Sequence, residues 1–343
     1  MVIDIDLKDK AYKVYIDEEL KINKDYVILT NTTLEKLYLN DVLQKIGKQP
    51  KAIIVIPDGE EYKNQESVNY ILEELFKAEI SRSDLLINLG GGVISDIGGF
   101  VASIYKRGIK HINIATTLLA SVDAAVGGKT GINNAYGKNL IGTFKQPSAV
   151  YIFTNYFKTL KKAELSAAMA EVIKMAVCFD LDFYNKLSKL SFDDIFDNIL
   201  EFVEKSIKIK ANVVINDEFE DNLRMKLNYG HTFAHVIENE TNYKGYLHGE
   251  AVAIGMVMAN KLACNLGLIS KEFEISILNT LKNFNLPTFY KINSSSKFYE
   301  GFFQDKKTLS GKINFILPSK EDLSIIKNDI SKDEILKVLR EFE

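Results

Sequence analysis

Leu85-Leu-Ile-Asn-Leu89 runs directly into Gly90-Gly-Gly-Val-Ile-Ser-Asp96. Five mostly apolar residues ending at glycine read as a buried strand, and the helical periodicity over 94–105 makes the next element a helix. Glycines at such a strand-to-helix turn let backbone N–H groups approach a phosphate, and the helix N-terminus adds a favourable dipole. The spacing is not G-x-G-x-x-G, so the usual dinucleotide fingerprint is absent, and a tight structural turn is the alternative reading.

The flanking sequence repeats the same alternation. Tyr26-Val-Ile-Leu-Thr30, Ala52-Ile-Ile-Val-Ile56 and His111-Ile-Asn-Ile-Ala115 read as further buried parallel strands, with a helical pattern over 66–78 between two of them. Residues 1–160 are therefore expected to form a doubly wound, Rossmann-like α/β domain that binds its ligands at the carboxyl ends of the strands. Past residue 160 the β-branched runs nearly vanish. Helical stretches at 162–179, 195–215, 230–240 and 250–266 predict an all-α domain over 161–343, with Ala251, Ala253, Gly255 and Ala259 allowing close helix approach. Two domains suit a chain of 343 residues. The active site is expected between them.

Composition narrows the class. Apolar content of 46% and charged content of 26% are those of an ordinary globular protein, and a net charge of −3 argues against a general nucleic-acid binder. Cys178 and Cys264 lie in apolar helical surroundings without metal-ligand spacing and read as buried thiols. The N-terminus shows no secretory pattern, and the apolar run 251–259 stops at Asn260-Lys261, short of a membrane span. A cytoplasmic location, with neither membrane nor nucleic acid as partner, is the expectation.

Chemistry concentrates in one 18-residue window that holds three of the four histidines: His231, His235 and His248. Imidazole is the commonest neutral nitrogen ligand of zinc, and residues i and i+4 share a helix face, so a divalent metal site is the first hypothesis. A zinc protease helix reads His-Glu-x-x-His, but Thr232 stands where that glutamate belongs, so the chemistry is of another kind. The bland alternative is a set of hydrogen-bonded helix residues. Gly127-Gly-Lys-Thr130 looks like the end of a nucleotide-triphosphate loop, whose first glycine would stand at 123; Asp123 occupies that position and would repel a triphosphate. Lys129 is retained as a point charge beside some other anion. Only four of the 43 cationic side chains are arginine, and Arg107 and Arg224 lie beside these segments, where a planar fork suits carboxylate or phosphate. Ordinary ion pairs are the alternative for both.

At this point the chain resembles the 3-dehydroquinate synthase family over nearly its whole length. The matching blocks are Gly90-Gly-Gly-Val-Ile-Ser-Asp96, Thr116-Thr-Leu-Leu-Ala-Ser-Val-Asp123, Gly127-Gly-Lys-Thr130, Gly137-Lys-Asn139, Ala170-Glu-Val-Ile-Lys174, Asn228-Tyr-Gly-His-Thr-Phe-Ala-His235, Leu247-His-Gly-Glu250 and Asp305-Lys-Lys307. Eight blocks in order are specific where any one is weak. The resemblance implies an NAD-binding α/β domain followed by a helical, metal-carrying one. It implies a zinc or cobalt ion on Glu171, His231 and His248, with His235 beside it as a catalytic group. Three protein ligands leave the open position of a catalytic site.

The resemblance also implies NAD contacts at Asp58, Gly59, Glu60, Glu61, Tyr62, Lys63, Gly92, Val93, Ile94, Ser95, Asp96, Thr116, Thr117, Lys129, Lys138, Tyr156, Phe157, Lys158 and Thr159. The implied substrate is 3-deoxy-D-arabino-heptulosonate 7-phosphate, met by Asp123, Lys129, Asn139, Lys174, Lys210, Arg224, Asn228, His235 and Lys306. Arg107 matches a residue that reaches the substrate phosphate from a neighbouring subunit, which implies a homodimer. The implied chemistry is transient oxidation by NAD, phosphate elimination, re-reduction and intramolecular aldol closure, a lyase reaction without net redox. Alternatives are a sister sugar phosphate cyclase, a metal-dependent polyol dehydrogenase, and a non-catalytic protein with a closed zinc site. One departure concerns the cofactor: Thr30-Asn31 stands where an acidic residue would bind the adenosine ribose, leaving the basis for choosing NAD over NADP open.

Overall fold

The structure, a computed structural model, describes residues 1–303 and 312–343. The chain divides into two compact units, Met1–Leu160 with Lys210–Ile215, and Lys161–Ile209 with Asn216–Glu343.

The first unit contains β1 (Val2–Ile5), β2 (Tyr12–Ile16), β3 (Tyr26–Asn31), α1 (Thr32–Ile46), β4 (Ala52–Ile56), α2 (Gln65–Lys77), β5 (Leu85–Gly90), α3 (Gly92–Ile104), β6 (Lys110–Ala115), β7 (Lys129–Asn134), β8 (Gly137–Phe144) and β9 (Ala149–Ile152). Seven strands form one sheet in the order β1-β2-β9-β6-β5-β3-β4, antiparallel only between β1 and β2. Every residue of β3 and β5 is buried, because helices cover both faces. Alternate residues of β3 divide between two cores: Val27 and Leu29 pack with Val68, Ile71 and Leu75 of α2 and with α3, whereas Tyr26 and Ile28 pack with Tyr38, Leu39 and Val42 of α1. Strand order reverses between β3 and β5, and ligands of such sheets bind at the carboxyl ends of the strands flanking that reversal.

The sequence reading anticipated β3, β4, β5 and β6 to within one residue. It missed two hairpins. Strands β1 and β2 bury alternate residues, Ile3 and Ile5 in one and Tyr12, Val14 and Ile16 in the other, the period of a half-buried strand, but their outward positions include the apolar Val2 and Tyr15, which blurs the alternation. Strands β7 and β8 are rich in Gly, Asn and Lys, with only Gly131 and Ile132 buried, so neither apolar period marks them.

The second unit is helical, as expected: α4 (Lys162–Phe179), α5 (Leu181–Leu187), α6 (Ile195–Asn216) apart from its residues 210–215, α7 (His231–Glu240), α8 (His248–Asn265), α9 (Lys271–Asn283) and α10 (Ser295–Gly301). It is not all-α, however: β10 (Phe315–Ser319) and β11 (Leu323–Lys327) form an antiparallel hairpin ahead of α11 (Lys332–Arg340). Pro318 near the end of a short apolar run conceals that strand from pattern reading. Cys178 is buried, with its thiol pushed up to about 12 by loss of solvent, whereas Cys264, in the last turn of α8, is only half-buried. No helix among the described residues is long and apolar enough to cross a membrane.

Two glycines set the spacing of the buried helices. A Cβ on Gly249 would lie 1.8 Å from the Ala167 carbonyl oxygen of α4, and one on Gly255 would lie 2.1 Å from the Gly230 carbonyl oxygen just before α7. Only glycine permits α8 to approach both neighbours this closely. That approach determines where the histidines end up.

Candidate functional site

Three side chains from α4, α7 and α8 converge in the second unit. Glu171 is fully buried, and its Oε1 lies 3.7 Å from Nε2 of His231 and 3.8 Å from Nε2 of His248; one ligand atom of each lies within 4.8 Å of the others. Glu171 Oε2 pairs with the ammonium of Lys174 one turn on, and Oε1 has no hydrogen-bond partner. A buried carboxylate oxygen facing two imidazole nitrogens and no donor is costly unless a cation joins them. Around a tetrahedral zinc with bonds of about 2.0–2.2 Å, such atoms lie about 3.4 Å apart, so Glu171 Oε1 is already close to that spacing from each histidine, while the widest separation in the trio, within 4.8 Å, has further to close.

The far side of each ring supports this fit. His231 Nδ1 lies 3.3 Å from the Tyr229 carbonyl oxygen, and His248 Nδ1 lies 3.2 Å from Glu238 Oε1. Acceptors at both Nδ1 atoms keep the proton there and leave the Nε2 lone pairs for a metal. Loss of solvent disfavours the imidazolium of His248, but Glu238, with help from Glu171, more than offsets this and raises its pKa.

The other expected residues of this unit are also placed. Lys174 is 2% exposed and Glu171 0%, so their i, i+3 pair is not a solvated surface salt bridge. His235 stacks edge-on to His231, ring centroids 5.7 Å apart. Arg224, also 2% exposed, donates from Nη1 to the Glu218 carbonyl at 2.5 Å, while Asn228 Nδ2 donates to Glu220 Oε1 at 2.8 Å. Asp217 ties the same turn together by accepting from the backbone N–H groups of Asp221, Asn222 and Arg224.

In the first unit the glycine turn lies at the end of β5. The N-termini of α1 and α2 are capped by Asn31 and Asn64, whose side chains accept backbone N–H groups, but α3 begins at Gly91 without a side-chain cap. An uncapped helix start behind glycine suits an anion. A Cβ on Gly91 would lie 3.1 Å from Thr117, so the turn carrying Gly92, Val93, Ile94 and Ser95 packs against the Thr116-Thr117 segment. Lys63 donates to Asp96 at 3.1 Å and pairs with Glu60 at 3.0 Å, joining the 58–63 stretch to α3. Burial pushes the Asp96 carboxyl up to about 6 despite Lys63. Asp58, at the end of β4, accepts from Asn31 Nδ2 at 2.8 Å and from Thr33 Oγ1 at 2.7 Å. Asp58, two residues past β4, thus brings a carboxylate beside the end of β3, where the strand itself has none.

Lys210 donates to both the carboxylate and the carbonyl oxygen of Asp123 and is 4% exposed. Lys129 opens β7 and is exposed, Lys138 lies in β8, and Asn139 has φ 55° and donates its N–H to Asn133 Oδ1. Tyr156 and Phe157 are buried, with Lys158 and Thr159 following them; Thr159 Oγ1 bonds Tyr38 and the Tyr156 carbonyl. Arg107 is exposed in a left-handed conformation, φ 64°, beside Lys106 at φ 46°. Lys306 and its block at 305–307 lie outside the described residues. The fourth histidine, His111, is buried in β6 and held neutral, pushed down to about 3 by burial and then by Lys145.

The 3-dehydroquinate synthase N-terminal family matches residues 53–167, and the 3-dehydroquinate synthase C-terminal family matches residues 168–308. A 3-dehydroquinate synthase of Campylobacter jejuni subsp. doylei is 55% identical with all of both chains covered, and one from Nitratiruptor sp. is 50% identical, covering 100% of this chain and 99% of its own. This chain belongs to the 3-dehydroquinate synthase family. Its fold recurs in 2-deoxy-scyllo-inosose synthase, solved with carbaglucose-6-phosphate, NAD+ and Co2+, at TM-score 0.85, 22% identity and full coverage of both chains. It also recurs in 2-epi-5-epi-valiolone synthase from Streptomyces hygroscopicus subsp. jinggangensis, solved with NAD+ and Zn2+, at TM-score 0.86 and 24% identity over 96% of each chain. Within this member of the family, sequence reasoning overlooked Glu238 and the Tyr229 carbonyl behind the histidines, and Asn31 behind Asp58. Glu238 lies two turns after His231 on α7, a spacing that offers a signal only once the metal ligands are suspected.

Proposed function

We propose that this chain is a 3-dehydroquinate synthase, converting 3-deoxy-D-arabino-heptulosonate 7-phosphate to 3-dehydroquinate and phosphate, with one NAD and one zinc or cobalt ion. The observation that carries the reading is the convergence of Glu171 with the Nε2 atoms of His231 and His248 in a chain matched end to end by synthases of that name. When bound, NAD supplies a reversible hydride acceptor, and the metal supplies a Lewis acid for the hydroxyl that is oxidised.

The chain's own residues have separable tasks in this reading. Glu171, His231 and His248 hold the metal, and Lys174 orients the second oxygen of Glu171. The α3 N-terminus, with Gly92, Val93, Ile94, Ser95, Asp96, Thr116 and Thr117, receives the cofactor phosphates. Asp58, Gly59, Glu60, Glu61, Tyr62 and Lys63, with Tyr156, Phe157, Lys158 and Thr159, hold its adenosine half, and Lys129 and Lys138 complete the contacts. Asp58 would accept the ribose hydroxyls, because each of its oxygens keeps acceptor capacity beyond the bonds to Asn31 and Thr33.

For the substrate, Lys174, Arg224, Asn228 and His235 are the proposed contacts in the helical unit, and Asp123, Lys129, Asn139 and Lys210 those in the α/β unit. Cations neutralise its carboxylate and phosphate, and His235 is positioned beside His231 to hold or pass a proton. Lys306 belongs to the same set by family pattern. A homodimer in which Arg107 serves the neighbouring site, cytoplasmic residence, and the absence of membrane or nucleic-acid partners complete the reading.

The test is phosphate release from 3-deoxy-D-arabino-heptulosonate 7-phosphate with substoichiometric NAD. Release exceeding the NAD supplied, abolished by a chelator and restored by zinc, is expected. Failure with folded, metal-loaded protein would transfer the assignment to another sugar phosphate cyclase, and accumulation of NADH with polyols to a dehydrogenase.

A further inference from the structure

We propose that Glu238 is a positioning residue that sets the tautomer of His248 and thereby the affinity of the centre for its metal. The inference rests on the metal reading above and extends it to a residue outside the ligand set. Glu238 is 5% exposed on α7, and its Oε1 lies 3.2 Å from His248 Nδ1 on α8. The opposite ring nitrogen, Nε2, faces Glu171 Oε1 at 3.8 Å. A neutral imidazole carries one proton, and a carboxylate at Nδ1 can only accept. The proton is therefore held at Nδ1, and the lone pair of Nε2 is directed at the metal position. The two histidines are anchored unequally: His231 by the main-chain carbonyl of Tyr229, which substitution of a side chain does not remove, and His248 by a side-chain carboxylate, which it does. Glu238 is thus a side-chain handle on the orientation of His248 that substitution can remove.

A buried carboxylate placed only for packing would cost stability without return. Facing Nδ1–H it polarises the ring and makes Nε2 a better ligand. In Glu238→Gln the amide oxygen still accepts, but the charge is gone and the amide N–H2 group favours the opposite tautomer when it faces the ring. In Glu238→Ala nothing holds either tautomer.

The test is a titration of metal-free protein with Zn2+ in competition with a chromophoric chelator, repeated with Co2+, whose visible absorption reports coordination. The expected result is a fall in affinity of about 10–100-fold for Glu238→Gln, larger for Glu238→Ala, with NAD affinity unchanged. Wild-type affinity in a Glu238→Gln protein whose metal-free melting matches wild type overturns the proposal. A measurement needing no variant runs beside it: 15N shifts of His248 in metal-free wild-type protein, above the pH at which the ring titrates. A proton on Nδ1 is expected, and one on Nε2 overturns the proposal. Glu171→Gln separates the two levels of inference: its retention of stoichiometric zinc would refute the metal centre, whatever Glu238 does.

Discussion

Replacing Gly249 with alanine tests whether backbone contact between α4 and α8 sets the metal geometry. The added Cβ would lie 1.8 Å from the Ala167 carbonyl oxygen, 2.6 Å from its carbonyl carbon and 3.0 Å from its Cα, all backbone atoms that cannot rotate away. Restoring ordinary contact requires the first turn of α8 to move from α4 by about 1.5 Å. His248 precedes Gly249, and Glu171 lies one turn beyond Ala167, so the same displacement opens the 3.8 Å separation between them. Metal coordination tolerates about 0.2 Å. The expected result is overpacking of about 1–3 kcal/mol, with each kcal/mol lowering Tm by about 1–2 °C for a chain of 343 residues. Zinc affinity should fall by at least about 100-fold, because one ligand leaves the coordination distance. Gly267→Ala is the control: φ is +71° but no atom lies within 4 Å of the added Cβ, so about 1 kcal/mol of backbone strain and unchanged metal affinity are expected. Melting of the metal-free proteins and chelator-competition titrations read both quantities. A Gly249→Ala protein with wild-type melting and wild-type zinc affinity would refute the reasoning.

Further outcomes follow from other parts of the site. Glu171→Gln should reduce bound zinc to near zero by elemental analysis while NAD still binds; substantial zinc retention would exclude it as a ligand. Arg224→Lys should weaken substrate binding by about 10–100-fold with little effect on NAD, since a fork is replaced by a point charge; equal losses in calorimetry would count against the assignment. Asp58→Asn should weaken NAD by about 10-fold and narrow its preference over NADP, because a charged acceptor is lost and repulsion of a 2′-phosphate is relieved; an unchanged NAD to NADP affinity ratio would remove Asp58 from ribose recognition. Glu238 and Glu171 raise the pKa of His248 in the metal-free protein, so protons compete with metal at higher pH than at an ordinary imidazole near 6.5. Zinc affinity should therefore fall as pH drops through that raised value. The sign reverses for metal-free stability, whose His248 contribution is full below the unfolded pKa and lost as pH rises through the folded one.

Much was legible without coordinates because local periodicity carries it. The runs that became β3, β4, β5 and β6 are apolar and β-branched as doubly buried parallel strands must be, and α4, α6, α7 and α8 declared themselves through helical spacing. The polar β7–β8 hairpin and the proline-bearing β10 strand lacked either period. At the site, i and i+4 spacing put His231 and His235 on one face, but no spacing rule reaches from His231 back to Glu171; that ligand was available only through likeness to a family.

Residue order along the chain thus specified the α/β-then-helical layout and the clustering of histidines, because a strand or helix pattern is a property of neighbours within a few residues. Which imidazole nitrogens face Glu171, which carboxylate stands behind His248, and how Asp58 comes to lie beside the end of β3 are relations between residues distant in sequence. They arise where glycines without a Cβ let helices touch and where adjacent strands bring their ends together. Such contacts follow from packing in three dimensions, for which no local period exists.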